Sequence, residues 1–170
     1  GSRAKFINSQ FDRSVTWKDA EWMINEWGGP FAIKGILSAQ DAVRAVKIGA
    51  TGIVVSNHGG RQLDHAASPM SVLPEIVEAV AGRADVIVDG GIRRGTDIVK
   101  AIALGAKSCM GGRPYLYGLS AGGLTGVSRA MNIISGELER DMSLLGVDKI
   151  DKIGARHIRH RPEQRPYPQN

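Results

Sequence analysis

At 170 residues, with 42% hydrophobic side chains and a formal net charge of +5, the chain is long enough for one domain with its own core. No stretch approaches the roughly 20 uninterrupted apolar residues of a membrane helix, and Gly1-Ser2-Arg3-Ala4-Lys5 leads into no apolar leader segment. The lone cysteine, Cys109, excludes an internal disulfide and suits a reducing compartment. The positive charge crowds into Arg156-His157-Ile158-Arg159-His160-Arg161, followed by Pro162, Arg165, Pro166 and Pro168, which reads as an extended, partly disordered terminus. Without those four arginines the body is nearly balanced. No aromatic residues interleave with a basic stripe, so no nucleic-acid partner is expected.

Along the chain, helical and strand patterns alternate. Thr16-Trp17-Lys18-Asp19 is a capping box that opens a helix through Trp22 and Met23 toward Trp27. Phe31-Ala32-Ile33-Lys34 reads as the first strand, and Ser38-Ala39-Gln40-Asp41 resembles a second capping box for a helix that ends at Gly49. Gly52-Ile53-Val54-Val55-Ser56 is the second strand. Pro74 can start a helix over Glu75–Val80, since a first-turn position needs no N–H. After the third strand, Val86-Ile87-Val88-Asp89, Thr96 caps a helix over Asp97–Leu104 that Gly105 stops. The fourth strand, Ser108-Cys109-Met110-Gly111, makes Cys109 a core residue rather than a reactive thiol. A last helix runs from about Gly126 to Leu145. Its stripe of Val127, Met131, Ile134, Leu138, Met142 and Leu145 reads as core packing.

The strands are near-continuous apolar runs, which predicts a parallel sheet covered on both faces. Strand-to-strand spacings of about 20 to 33 residues suit a (β/α)8 TIM barrel, whose unit averages about 30. Four strands cannot close a barrel of about 250 residues, so the expected fold is α/β, the C-terminal half (last four βα units) of such a barrel. Its organisation is a lead-in over 1–15, the half-barrel over 16–146 and a tail over 147–170. Alone, that unit leaves two parallel edges and an apolar inner face, so a partner is expected to complete it.

Each strand ends in a polar or glycine-rich turn, and all four ends fall on one side of the sheet, the side that carries the active site in this architecture. Asp89-Gly90-Gly91-Ile92-Arg93-Arg94-Gly95-Thr96 joins the third strand to a helix N-terminus, and Gly111-Gly112-Arg113 follows the fourth. Glycines let backbone N–H groups approach an anion, and Arg93 and Arg113 add charge-assisted bonds. One such turn reads as a tight turn with a surface arginine; two at successive positions favour phosphate. Ser56-Asn57-His58-Gly59-Gly60-Arg61-Gln62-Leu63-Asp64 adds a histidine able to act as a base near neutral pH, and an arginine whose planar fork suits a carboxylate. From the residues alone, His58 reads equally well as a satisfied structural histidine.

Ser56 to Gln62 closely resembles the active-site signature of the FMN-dependent 2-hydroxy-acid dehydrogenase and oxidase family, which includes glycolate oxidase, L-lactate dehydrogenase, mandelate dehydrogenase and flavocytochrome b2. The resemblance covers roughly Phe11 to Gly146 and includes Ile33-Lys34-Gly35, Asp89-Gly90-Gly91-Ile92-Arg93-Arg94-Gly95 and Gly112-Arg113-Pro114, in family order. It implies FMN as cofactor and oxidation of an (S)-2-hydroxy acid to the 2-oxo acid. By that resemblance His58 is the catalytic base, acting on the substrate's C2 carbon or its hydroxyl, and Arg61 grips the substrate carboxylate. Lys34 stands by flavin N1 and Ser56 touches the flavin, while Asp89, Gly90, Gly91, Arg93, Gly112 and Arg113 hold ribityl and phosphate.

The same resemblance assigns the rest of the site to the first four strands, so the N-terminal half of the same enzyme is the expected companion chain, with the break near the family's variable loop four. A homotetramer is implied, cytoplasmic or membrane-peripheral through that loop, and Pro168-Gln169-Asn170 is not a peroxisomal address. His65 is expected to be exposed or beside the substrate. His157 and His160 have no ligand-spacing partner, so no metal is expected. A catalytically silent half-barrel that binds flavin or phosphate remains the alternative. Another FMN or phosphate barrel, such as an isomerase, explains the glycine turns but not His58 with Arg61.

Overall fold

A computed structural model of the chain describes Phe6, Ser9, Gln10 and residues 12–159. His160 and the arginines and prolines beyond it lie outside the described residues. Four strands form one parallel sheet in sequence order: β1 (Ala32–Ile36), β2 (Gly52–Ser56), β3 (Asp85–Asp89) and β4 (Ser108–Met110). Helix α1 (Trp17–Trp27) precedes the sheet, α2 (Ala39–Lys47), α3 (Pro69–Val80) and α4 (Gly95–Ala103) join successive strands, and α5 (Arg113–Leu144) follows β4.

Local chemistry explains most boundaries. The Thr16 N–H and hydroxyl both donate to Asp19 Oδ2, at 2.6 and 2.7 Å, closing the box that starts α1. Ser38 Oγ accepts from the Asp41 N–H at 3.1 Å and starts α2. Three helix starts differ from the sequence expectation. Pro74 lies inside α3, which begins at Pro69 with Ser68 accepting from the Ser71 N–H; a serine cap followed by proline is the stronger start signal. Arg94, not Thr96, holds the cap position of α4, because Asp97 Oδ2 reaches back to the N–H groups of Arg93 and Arg94 at 3.0 Å each. Helix α5 starts at Arg113, well before Gly126, and breaks at Gly122 and Gly123 into two arms. A Cβ on Gly118 or Gly126 would overlap the backbone of the opposite arm, so the glycines permit the close hairpin.

One face of the sheet builds the core. Ile53 and Val55 of β2 and Val86 and Val88 of β3 pack with Ala42, Ala45, Leu73, Ile76, Val80 and Ala101 from α2, α3 and α4. Each large side chain buried there contributes about 1.5–3 kcal/mol. The alternate residues share the other face, as the register pairs Lys34 with Val54, Val54 with Ile87, Ser56 with Asp89 and Asp89 with Met110. Coverage on both faces holds for β2, whose five residues are all buried, but the outer strands are half open. The stripe on α5 acts as core only in part within this chain. Met131 is 50% exposed, and only Leu138 and Met142 join a second cluster with Val99, Ala103, Val147 and Ile153. Val147 and Ile153 thus anchor the beginning of the segment read as a tail.

Cys109 is half-buried on β4, on the core-facing side. Burial, with a smaller contribution from the Asp97 charge, pushes its thiol up to about 11. Alkylation by iodoacetamide at pH 8 is expected to run on the order of 100-fold slower in the folded protein than in urea. Equal rates would contradict the packed reading of this residue.

Candidate functional site

In a parallel sheet all C-terminal strand ends share one rim, and register decides which side chains meet there. Ser56 and Asp89 are direct partners across β2 and β3. The Ser56 hydroxyl donates to Asp89 Oδ2 at 2.7 Å, and Lys34 reaches over from β1, its Nζ lying 2.7 Å from the same oxygen and 3.1 Å from Ser56 Oγ. Burial alone would raise the Asp89 pKa. Hydrogen bonds from Lys34 and Ser56, with the charge of Lys34, outweigh it and hold the carboxyl below its ordinary range. Asp89 Oδ1 has no donor among the described residues.

Beyond Ser56 the chain enters a single 3-10 turn, His58–Gly60. Asn57 builds it: Oδ1 accepts from the Gly60 N–H at 3.1 Å, and Nδ2 donates to the Ala67 carbonyl at 3.2 Å. His58 takes a left-handed backbone, φ 56°, uncommon for a residue with a side chain and costing about 1–2 kcal/mol. Its N–H donates to Ser56 Oγ at 3.1 Å. Gly35, at φ 102°, sits where the β1–β2 register shifts, and a Cβ there would lie 3.0 Å from His58 Cε1. A glycine bulge on β1 therefore lets the imidazole approach the strand end.

The next two turns face the same space. A cavity of about 360 Å³ is lined by His58 and Arg61 from the first turn, Asp89, Gly90, Gly91 and Arg93 from the second, and Gly112 and Arg113 from the third. Arg113 Nη2 donates to the Gly59 carbonyl at 3.0 Å, joining the last turn to the histidine turn. The N–H groups of Gly91 and Gly112, beyond the strand ladders, donate to no acceptor among the described residues. Gly91, at φ 77°, holds a conformation that frees its amide and favours glycine. Unpaired amides with arginines around them form an anion-binding arrangement.

Of the ten residues singled out from the sequence, eight line this cavity; Lys34 and Ser56 join it through Asp89. The His65 side chain is 96% exposed and lies beside Asp64, outside that lining. Three contributors carried no assigned role in the sequence. Asn57 is in the quoted signature, and its turn chemistry was available there. Tyr117 lines the cavity from the first arm of α5. Glu137, 42 residues from Gly95, accepts from the Gly95 N–H at 3.0 Å and pairs with Arg94 at 2.8 Å, which turns Arg94 away from the cavity and fixes the start of α4. No local pattern announces that contact. Among the described residues no group of histidine, cysteine, aspartate and glutamate could hold a metal, and no helix is long and apolar enough to cross a membrane.

Comparison with known proteins identifies the family and relates the fold to solved structures. The sequence model of the FMN-dependent dehydrogenase family matches residues 1–160. A peroxisomal (S)-2-hydroxyacid oxidase of Arabidopsis thaliana is 46% identical over 159 residues, covering 94% of this chain and 44% of that protein. An L-lactate oxidase of Nostoc sp. is 49% identical over 148 residues, covering 87% and 40% respectively. Among solved structures, the monotopic membrane protein (S)-mandelate dehydrogenase superposes with a TM-score of 0.87 at 40% identity, covering 93% of this chain and 42% of that one. The chain spans less than half the length of these relatives.

Because the folded pKa of Asp89 is lowered, the stabilisation from its carboxylate is present above the ordinary carboxylate range and is lost as pH falls through the folded value. Asp89→Asn is expected to cost about 1–2 kcal/mol in urea unfolding at pH 7, part of the ion pair being solvent-screened. The deficit should shrink toward zero in strong acid. A deficit that persists undiminished there would show that the carboxylate charge is not what stabilises the rim.

Proposed function

This chain belongs to the FMN-dependent dehydrogenase family, and on that premise we propose that it supplies the phosphate-binding and base-bearing side of an active site that oxidises an (S)-2-hydroxy acid to the 2-oxo acid. One observation carries this: the imidazole turn and both glycine turns open onto a single cavity. Its volume, about 360 Å³, falls in the range of about 300–1,000 Å³ typical of small-molecule pockets. The residues fit FMN. The free amides of Gly91 and Gly112, with Arg93 and Arg113, suit the phosphate. Among the described residues Asp89 Oδ1 is free to accept from a ribityl hydroxyl, and Lys34, paired with Asp89, would supply a cation to the flavin. FMN, when bound, supplies the two-electron acceptor.

His58 takes the proton released from the substrate's C2 carbon or its hydroxyl, and Arg61 binds the substrate carboxylate through its planar fork. The Asn57 bonds and the left-handed backbone fix the turn that carries His58. The sheet is read as the last four βα units of a (β/α)8 barrel, completed along β1 and β4 by the N-terminal half of the same enzyme, in a homotetramer that is cytoplasmic or membrane-peripheral. Support for the half-barrel lies in four parallel strands in sequence order and coverage of under half of each relative.

Anaerobic addition of L-lactate, glycolate or mandelate to the flavin-loaded enzyme is expected to bleach the flavin absorbance. His58→Gln should slow bleaching by about 10²–10⁴-fold with flavin still bound, and Arg113→Met should weaken FMN by about tenfold or more. A yellow protein that none of these acids bleaches would make the chain a silent flavin-binding module.

A further inference from the structure

Ser56 is 1% exposed and is the one fully buried polar side chain among the described residues. A serine hydroxyl can donate one hydrogen bond and accept two. All three are used: it donates to Asp89 Oδ2 at 2.7 Å and accepts from Lys34 Nζ and from the His58 N–H, each at 3.1 Å. One oxygen thus links β1, β3 and the turn that carries the imidazole. Lys34 and His58 come from separate segments, and this oxygen is a bonding partner common to both.

We infer that Ser56 is a positioning residue: its hydroxyl fixes the base of the His58 turn relative to the Lys34–Asp89 ion pair, so that the proton acceptor and the cofactor-facing cation keep a set separation. This deepens the function proposed above and rests on the roles of His58 and Lys34 given there. Two features assign the role to Ser56 rather than to Asp89. Ser56 is neutral, so losing its hydroxyl leaves the Lys34–Asp89 pair at 2.7 Å with both charges present. It also holds the N–H of a residue at φ 56°, where a lost bond lets the backbone relax toward commoner conformations. The pairing is built into the sheet, because Ser56 and Asp89 are ladder partners and cannot change face without a register slip.

The test is amide hydrogen exchange at His58 in the flavin-loaded enzyme and in its flavin-free form, comparing Ser56→Ala, Ser56→Gly and Ser56→Thr. The two hydroxyl-free variants should exchange the His58 amide about tenfold faster than the parent, the factor expected for one lost hydrogen bond. Ser56→Thr, which keeps the hydroxyl, should restore slow exchange. In turnover, the hydroxyl-free variants should lose kcat with KM little changed, since the carboxylate grip of Arg61 is untouched, and threonine should recover it. The inference is overturned if the His58 amide stays as slow in Ser56→Ala and Ser56→Gly as in the parent, or if Ser56→Thr is as impaired as Ser56→Ala. A parent enzyme whose flavin is never bleached by a 2-hydroxy acid would instead sink the oxidation reading, while the exchange data would still decide for or against Ser56 as the anchor of the turn.

Discussion

The in-register pairing of β2 with β3 constrains everything above it. Ser56 opposite Asp89 puts a hydroxyl and a carboxylate on the same face at the same height, within reach of Lys34 from β1. A slip of one residue would turn either side chain toward α3 and α4, where the core has no polar partner to offer. With that pair in place, the segments leaving β2, β3 and β4 start from a common rim. Their turns therefore converge on one cavity rather than scattering over the surface.

Stability and chemistry occupy opposite faces of the same strands. Ile53, Val55, Val86 and Val88 lock the sheet to α2, α3 and α4, while the alternate positions carry Lys34, Ser56 and Asp89. The charge balance follows from this division. Three arginines, Arg61, Arg93 and Arg113, line the cavity, and its one carboxylate among the described residues, Asp89, is already paired with Lys34. The cavity is therefore a positive space, suited to a phosphate at one end and a carboxylate at the other. Glu137 strengthens the arrangement from outside: by taking Arg94 and the Gly95 N–H it pins the glycine turn to the second arm of α5.

Much of this was legible in the sequence, because the strands are short apolar runs and each ends in residues that break a pattern. Gly52–Ser56 matched its strand at both ends, and the other three strands differed by a residue or two. The Thr16–Asp19 and Ser38–Asp41 caps were readable since their bonds span three residues. What failed was of longer range or masked by a competing signal. Pro74 drew attention from the serine-proline start at Ser68, and Asp97 rather than Thr96 capped its helix by reaching backward. The α5 stripe has a helical period, but a period does not say which surface covers it, and only Leu138 and Met142 pack on a cluster within this chain. Likewise, Ser56 and Lys34 were legible singly, in two separate motifs; that one is bonded to the other depends on sheet register, which no linear motif contains.

The central claim is that the anion turns and the imidazole turn serve one bound molecule. Its most direct test is a paired titration of the protein with FMN and with riboflavin, following flavin fluorescence and the ring resonances of His58 together. FMN is expected to bind at least about 100-fold tighter, the worth of two charge-assisted bonds to phosphate, with the His58 resonances shifting along the same binding curve. Equal affinity for the two flavins, or an imidazole that does not sense the bound phosphate ester, would contradict it.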